Sequence, residues 1–460
     1  MSRTKRAEMD MIHGSIWNKI PQFALPIAAT AILGQLFNAS DLAVVGNFTG
    51  EARNACVAAV SSNSAIVSLV VNFFVGIGLG ANVVIANALG RNDRDMVEKT
   101  VHTAILLSVL GGILMAAFGE AIAHSLLSSL NVPEDVFDMA LTYLRIYFLG
   151  MPVILLYNFE AAIFRSVGDT KTPLLALALS GVLNVLLNLF FVLVLKMTVD
   201  GVAIATVSAN AVSAVILFLK LRNTDRSIKL DLSKLRIDGK ALGRILRIGV
   251  PAGIQSALFS LSNILITSSV NSLGTVVMAA SGASSNVETF AYAVLNSFSQ
   301  ACTTFVGQNY GAGEIKRCRK VLALCLLECA ICTACIVLLA LTFGKNLLAI
   351  FNSDPEVVAI GYTRLKLILF AYIFTTLYEN MSGYLRGFGI SLLPALLTAV
   401  GICGLRVVWV YTVFRANPTF QTVMTVYPVS LSTTAVLVGI ALLICHPARR
   451  HLKAGAENLA

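Results

Sequence analysis

The chain has 460 residues, of which 57% are hydrophobic and only 13% are charged, and its mean hydropathy is +0.81. Soluble domains carry about 25% charged residues, so this composition excludes an ordinary soluble protein and indicates an integral membrane protein. The net charge of +10 does not require a nucleic-acid partner, because the basic residues follow the membrane topology described below.

Apolar segments long enough to cross a bilayer recur along the whole chain. A spanning helix needs roughly 20 apolar residues, and about twelve segments meet this condition. The sequence therefore predicts an all-α polytopic membrane protein with no soluble domain. The predicted spans lie near 19–46, 58–82, 98–122, 139–163, 173–195, 200–219, 245–270, 279–303, 321–343, 359–383, 392–413 and 424–445.

The basic residues predict the orientation of these spans. If both termini are cytoplasmic, most of the 34 lysines and arginines fall on the inside, as the positive-inside rule requires. The segment 223–242 between the sixth and seventh spans is basic and amphipathic. We interpret it as a cytoplasmic linker that is solvated or lies at the level of the lipid headgroups.

Short blocks recur in the same order in both halves of the chain. Pro26 and Pro251 open similar spans, and each is followed twelve residues later by an asparagine, Asn38 or Asn263. "FRSVGDTKTP" and "LRGFGISLLP" match in the same way. These repeats predict duplication of a six-helix unit, with the two halves in parallel orientation. The predicted parts are an N-terminal lobe over 1–222, the linker over 223–242 and a C-terminal lobe over 243–460.

Several segments resemble the multidrug and toxic compound extrusion (MATE) family of bacterial transporters. They include "FNASDLAVVG", "FRSVGDTKTP", "GVLNVLLNLFFV", "GVAIATVSANAVSAV", "FVGQNYGAG" and "YLRGFG", and they cover nearly the entire chain in order. The resemblance implies two six-helix lobes around a central cleft, in a monomer of the bacterial plasma (inner) membrane. It also implies alternating-access export of organic cations or amphiphilic compounds in exchange for Na⁺ or H⁺.

Asp41 lies deep in the first predicted span, where a charged carboxylate costs about 2.5 to 3.5 kcal/mol. Either it accepts hydrogen bonds from buried polar neighbours, or it binds a proton or a hard cation such as Na⁺. The resemblance places Asp41 where many bacterial members keep an acidic residue for ion coupling. It places Asn184 and Thr206 at partner positions, whereas Asn188 departs from the family because relatives often have Asp there.

Other acidic residues inside spans are candidates for a substrate cleft. Glu160 can either form an interfacial ion pair with Arg165 or face the cleft. Glu288 lies beside serine and asparagine residues in the middle of the eighth span, and we expect it to recognise a cationic substrate. Glu379 occupies the position in the C-terminal repeat that Asn158 occupies in the N-terminal repeat. Both residues are polar, but only Glu379 is charged.

Three further residues complete the candidate cleft. We expect Arg406 to pair with Glu379 or another acid, since a lone buried charge is unfavourable, and binding of an anionic substrate is the alternative. Asn38 and Asn263 are related by the repeat, and they either line the cleft or form hydrogen bonds across helices.

Other functional classes receive less support. A lipid-linked oligosaccharide flippase of the same superfamily would need a basic lining, and a membrane-embedded enzyme would need a nucleophile and base or a set of metal ligands. A channel is a further alternative. "GIGLGA" at 76–81 resembles a dinucleotide fingerprint but lies inside an apolar span, so we interpret it as a site of close helix packing. No cofactor beyond the coupling ion is expected.

Overall fold

The computed structural model describes residues 9–129, 132–352, 354–445 and 447, and within them all long regular elements are helices and no strand occurs. The predicted all-α fold is therefore confirmed. The α-helices are α1 Lys19–Phe48, α2 Arg53–Gly90, α3 Arg94–Ser129, α4 Glu134–Leu149, α5 Met151–Ser166, α6 Lys171–Leu189, α7 Val199–Arg222, α8 Gly239–Asn271, α9 Thr275–Gly311, α10 Ile315–Phe351, α11 Pro355–Gly387, α12 Leu392–Thr398, α13 Leu405–Trp409 and α14 Phe420–Cys445.

Most of these helices can cross a membrane. Ten helical segments of the described chain are long and apolar enough, and the bent pair α4 and α5 provides one more. One of the ten, Leu392–Phe414, combines α12 and α13 with two π-helical segments. Helix α9 occupies the place of the predicted eighth span and has 37 residues, but its many polar side chains make it less apolar. A helix satisfies its own backbone hydrogen bonds, which is what a hydrocarbon environment demands.

The fourth predicted span is broken in its middle. Helices α4 and α5 meet at Gly150 and are bent by 50°. Pro152 stands in the first turn of α5 and has no N–H to donate, so it cannot continue the hydrogen bonds of α4. A Cβ added to Gly112 of α3 would lie 2.4 Å from the Pro152 Cα, so α3 packs directly against the break.

The described chain divides into two compact units. Unit 1 contains residues 9–10 and 29–253, and unit 2 contains residues 11–28 and the chain from 254 onward. The start of α1 thus belongs to unit 2, and the start of α8 belongs to unit 1. The boundary expected within 223–242 does not coincide with this division, because residues 239–253 pack against α2.

Glycines make that packing close. A Cβ on Gly76 of α2 would lie 2.3 Å from the Gly253 nitrogen, and a Cβ on Gly80 would lie 2.3 Å from the Ile245 carbonyl oxygen. Any side chain at these positions would collide with the backbone of α8. The interpretation of "GIGLGA" as a site of close helix packing is confirmed.

In unit 2, helix α11 packs against α9, α10 and α14. A Cβ on Gly383 of α11 would lie 2.6 Å from the Ser299 carbonyl oxygen of α9, so these two helices also approach closely. The start of α1 joins the unit through Phe23, whose ring meets Phe305 of α9 edge-on at a centroid distance of 5.6 Å. Both rings are fully buried.

The segment 223–242 is folded onto unit 1 and does not hang free in solvent. Arg226 forms a 2.8 Å ion pair with Asp169, which lies in the loop before α6, and the His102 ring of α3 contacts the Asp231 backbone. Ile228 and Leu230 are buried. These two apolar side chains anchor the segment to the unit, while most of its other side chains are exposed or partly exposed.

Candidate functional site

A closed ring of four polar side chains lies inside unit 1. Helix α1 supplies Asp41, α6 supplies Asn184 and Asn188 one turn apart, and α7 supplies Thr206. Asn188 Nδ2 donates to Asp41 Oδ1 at 2.5 Å, and Thr206 Oγ1 donates to Asp41 Oδ2 at 2.9 Å. Asn188 Nδ2 also donates to Asn184 Oδ1 at 3.3 Å, and Asn184 Nδ2 donates to Thr206 Oγ1 at 3.2 Å. The structure thus brings together all four residues that the sequence indicated for ion coupling.

Neutral groups alone compensate the Asp41 carboxylate. Its side chain is buried, with 3% exposed, and among the described residues no lysine, arginine or histidine forms an ion pair with it. Amide and hydroxyl donors stabilise a carboxylate less completely than a buried cation does. When Asp41 is ionised, the ring carries a negative charge that a cation or a proton could neutralise.

One acceptor of the ring has no donor. Asn188 Oδ1 is buried without a hydrogen-bond partner, which is uncommon for a buried polar atom. Carboxylate, amide and hydroxyl oxygens are the ligands that hard cations prefer. The side chains of Asp41, Asn188 and Thr206 therefore offer oxygen atoms of the kind that Na⁺ prefers, and the Asp41 carboxylate can accept a proton. The Asn188 oxygen would face Asp41 only after the amide turns over, because its Nδ2 donates to Asp41 Oδ1.

Gly181 allows α1 to approach α6 at this point. A Cβ on Gly181 would lie 1.6 Å from the Phe37 ring of α1, so only glycine leaves room for that ring. Phe37 precedes Asp41 by four residues, and Gly181 precedes Asn184 by three, which puts each pair on one helix face. The aromatic contact therefore sets the distance at which Asp41 meets α6.

A pocket of about 210 Å³ lies inside unit 2. It is bounded by α8, α9, α11, α13 and α14, and it combines aromatic rings with charged and polar side chains. Its lining residues are Phe259, Asn263, Thr267, Ser285, Glu288, Thr289, Tyr292, Arg364, Ile368, Tyr372, Thr375, Tyr378, Arg406, Tyr427 and Leu431.

Glu288 is neutralised within this pocket. Arg364 of α11 donates from Nε to Oε1 at 2.8 Å and from Nη2 to Oε2 at 2.9 Å, and both side chains are buried. Arg364 also donates to the hydroxyl groups of Ser281 and Ser285. The positive charge of Arg364 therefore compensates the negative charge of Glu288. This ion pair was not predicted from the sequence.

Arg406 is fully buried and has only neutral partners. Its Nη1 donates to Asn263 Oδ1 at 2.8 Å, and its Nε donates weakly to Ser430 Oγ at 3.4 Å. Its guanidinium lies 4.5 Å from the Tyr427 ring centroid and 5.6 Å from that of Phe259. The expected ion pair of Arg406 with Glu379 or another acid does not form among the described residues, because amide, hydroxyl and aromatic groups surround it instead.

Glu379 lies nearby but outside the pocket lining. Its Oε1 accepts from the Tyr292 hydroxyl at 3.4 Å, and its Oε2 accepts from Ser299 Oγ at the same distance. Both contacts are long, and the side chain is buried. Tyr292 therefore stands between Glu379 and the pocket.

The two remaining candidates, Glu160 and Asn38, lie in unit 1 and differ in burial. Glu160 of α5 is fully buried, and neither carboxylate oxygen has a hydrogen-bond partner. The alternative of an ion pair between Glu160 and Arg165 is therefore wrong, since the two side chains do not meet. Asn38 is exposed on α1, whereas its repeat mate Asn263 both lines the pocket of unit 2 and accepts from Arg406.

Sequence reasoning missed Arg364 and the aromatic residues Phe259 and Tyr427. Arg364 lies within the predicted span 359–383, so the rule that marked the buried acids as functional would also have found this cation. The two aromatic residues give no comparable signal, because most aromatic residues in membrane helices only pack.

The fold and these sites define a multi-pass membrane transport protein. The MatE family model matches residues 26–190 and again residues 251–412. The chain therefore belongs to the MatE family of multidrug efflux transporters. The two matched segments begin at Pro26 and Pro251, the residues that open the predicted repeats.

Relatives and solved structures agree with this membership. The chain is 29% identical over 399 residues to the probable multidrug resistance protein YpnP of Bacillus subtilis, covering 86% of this chain and 88% of that protein. It is 28% identical over 400 residues to the probable multidrug resistance protein YoeA of the same organism, covering 85% and 86%. A MATE crystal structure in a bent conformation matches with a TM-score of 0.88 at 19% identity, covering 97% and 98%.

Proposed function

We propose that this protein is a secondary-active antiporter that exports small amphiphilic molecules and that Asp41 is its coupling carboxylate. The observation that carries the proposal is the closed ring around Asp41, in which a buried carboxylate has no cationic partner and Asn188 Oδ1 has no donor. A transporter that exchanges a drug for Na⁺ or H⁺ needs a site of this kind.

The ring suggests how binding of the ion changes the protein. A Na⁺ ion or a proton at Asp41 removes the unpaired negative charge and satisfies the free oxygen of Asn188. Removal of the charge changes which packing of α1 against α6 and α7 has the lower free energy. Loading and unloading of the ion would thus favour different conformations, which is the requirement for alternating access.

The proposed transporter is expected to lie in the membrane as a single chain. We expect both termini in the cytoplasm of a bacterium, since this orientation puts most lysines and arginines inside. We also expect the protein to act as a monomer. The substrate is expected to be amphiphilic; recognition of a cation by Glu288 would require competition with Arg364.

Transport by the purified full-length chain in proteoliposomes tests the proposal. Ethidium or norfloxacin export is measured under an imposed Na⁺ gradient, an imposed H⁺ gradient or neither, for wild type and for Asp41→Asn. We expect wild-type export to follow one gradient and Asp41→Asn to lose that dependence. Normal coupling in Asp41→Asn would overturn the assignment of Asp41.

Glu51→Gln is the matched control. Glu51 is an exposed acid of unit 1 in the short segment between α1 and α2, and it is not part of the ring. Its neutralisation removes the same charge without touching the ring, so coupling should be unchanged. Loss of coupling in both variants would indicate a general effect of net charge and not a coupling site.

A lipid-linked oligosaccharide flippase is the second candidate. The observation that favours it is that Arg364 and Arg406 both line the pocket of unit 2. The pocket volume of about 210 Å³ argues against it, because even drug-sized ligands occupy about 300 to 1,000 Å³. Failure of wild type to move either drug under any gradient, together with movement of a lipid-linked oligosaccharide across the bilayer, would favour the flippase.

A further inference from the structure

The pocket of unit 2 has a net positive charge. Its charged lining side chains are Glu288, Arg364 and Arg406. The first two neutralise each other through their bidentate pair. The remaining charge of the lining belongs to Arg406. The buried carboxylate of Glu379 lies outside the lining, behind Tyr292, and forms no ion pair with Arg406 within the described chain.

Arg406 is a buried cation with no acidic side chain paired to it among the described residues. It is only 1% exposed, and within the described part of the chain its hydrogen bonds and ring contacts are with neutral groups. A buried charge inside a membrane protein is normally paired, and an unpaired one marks a binding path. Asn263 orients the guanidinium from one side, which still leaves donors of this five-donor group for a ligand.

The walls of the pocket favour a flat apolar group beside that charge. The rings of Phe259 and Tyr292 lie parallel, with an interplanar angle of 13° and a centroid distance of 6.1 Å. The Tyr427 ring contacts both guanidinium groups, at 4.5 Å from Arg406 and 5.7 Å from Arg364. An aromatic body can therefore lie against these rings while an anionic group meets Arg406.

The size of the pocket limits what enters it. Its volume of about 210 Å³ is below the range of about 300 to 1,000 Å³ for whole drug-sized ligands. It fits one end of a larger molecule, or a small molecule with one ring and one acidic group.

We propose that this pocket binds the anionic end of an aromatic or amphiphilic molecule, a singly charged carboxylate or phosphate, with Arg406 as its counter-ion. The proposal rests on the proposed transport function, for which it names a substrate chemistry. The chemistry is opposite in charge to the organic cations that the family resemblance implies.

Binding of three ligands of similar size and different charge tests the proposal. The probes are 4-tert-butylbenzoate, its neutral amide and 4-tert-butylbenzylammonium, titrated by calorimetry into the purified full chain in a neutral detergent. We expect the benzoate to bind at least about tenfold more tightly than the amide, since a charge-assisted hydrogen bond contributes at least that factor. Equal binding of benzoate and amide, or tighter binding of the ammonium, would overturn the proposal.

Substitutions of two arginines test whether the preference for benzoate depends on Arg406. Arg406→Gln should remove the preference for benzoate, whereas Arg415→Gln, at an exposed arginine beyond α13, should keep it. Undiminished benzoate preference in Arg406→Gln would refute the role of Arg406. Arg406→Lys retains the charge without the planar fork and should keep a reduced preference. If neither variant folds, the ranking of the three ligands on wild type decides.

A lipid headgroup and a free solute can carry the same anionic chemistry. The benzoate titration is therefore repeated in nanodiscs of phosphatidylcholine with and without phosphatidylglycerol. Weaker benzoate binding with phosphatidylglycerol would assign the anion to a lipid headgroup, and unchanged binding would assign it to a free solute. The binding measurements need no ion gradient. A negative binding result would therefore not bear on ion coupling through Asp41, and a negative coupling result would not bear on anion binding at Arg406.

Discussion

Asn188 and Asp41 are 147 positions apart in the chain, and the amide of the first donates to the carboxylate of the second at 2.5 Å. The contact joins α6 to α1 and closes the polar ring of unit 1. Because Asn188 also contributes the free acceptor of that ring, we expect it both to hold the Asp41 carboxylate and to contact the coupling ion of the proposed function.

Asn188→Ala should weaken the apparent affinity for the coupling ion by about tenfold or more, since a hydrogen bond to a charged group is worth about 1.5 to 3 kcal/mol. The measurement is drug export from proteoliposomes as a function of Na⁺ concentration and of pH. Asn47→Ala is the control, because the exposed Asn47 on α1 bonds only to the Ala43 carbonyl. Equal ion dependence in the two variants would contradict the role of Asn188.

The Thr206 hydroxyl can be tested with two substitutions of similar size. Thr206→Val removes the donor to Asp41 Oδ2 while keeping the shape of the side chain, and Thr206→Ser keeps the donor. We expect the valine variant to lose about tenfold in apparent ion affinity and the serine variant to stay near wild type. The same transport assay checks this. A loss in the serine variant with wild-type affinity in the valine variant would indicate that the methyl group acts through packing and that the hydroxyl does not contribute.

The ion pair of Glu288 and Arg364 should show strong coupling in a double-mutant cycle. Arg364→Gln leaves a buried carboxylate unpaired, for which a destabilisation of about 3 to 5 kcal/mol is typical. Glu288→Gln should also lower the stability, because it leaves the buried Arg364 without its acid. The double variant should be more stable than Arg364→Gln. Thermal unfolding of the purified protein in detergent measures all three. Additive effects would mean that the two side chains act independently.

Close helix packing in unit 1 predicts opposite results at two glycines. Gly80→Ala places a Cβ against the Ile245 carbonyl oxygen and should destabilise by about 1 to 3 kcal/mol, as overpacking does. Gly243→Ala on α8 has open space around it and should be neutral or slightly stabilising, since alanine favours a helix. Thermal unfolding compares the two. Equal stability of both variants would contradict the close contact.

The start of α8 should be insensitive to pH in the physiological range. The Ala241 backbone N–H donates to Asp238 Oδ1 at 2.9 Å, and this bond lowers the pKa of Asp238 below its usual value. Because the pKa of Asp238 is lower in the folded state, its ionised carboxylate stabilises the fold. This stabilisation is fully present above the unfolded-state pKa and is lost as pH falls through the folded-state pKa. Hydrogen exchange at 239–242, corrected for its intrinsic pH dependence, should therefore be constant above about pH 5.

Asp238→Ala is the variant that checks this cap. It should speed exchange in the first turn of α8 at every pH above about 5, because the helix loses its side-chain acceptor. Asp225→Ala in the same linker serves as the control. Faster exchange on lowering the pH from 8 to 6 in wild type would show that another group governs the end of the helix.

Composition and motif spacing were sufficient for the architecture and for one of the two sites. Hydrophobic length alone predicts the spans, because a helix must be apolar over roughly 20 residues to cross a bilayer. The residues around Asp41 could be named because a buried acid stands out in an apolar segment and because the family resemblance indicated Asn184 and Thr206 as partners and Asn188 as a departure from the family.

Only the tertiary structure decided which charges pair. From the sequence, Glu288 stood as an available carboxylate and Arg406 as the partner of an acid, but Arg364 takes Glu288 and leaves Arg406 among neutral groups. Ion pairing depends on distances of a few ångströms between helices that are far apart in the chain, and hydropathy says nothing about which helix faces meet. The sign of the charge in the pocket of unit 2 was therefore settled by packing and not by composition.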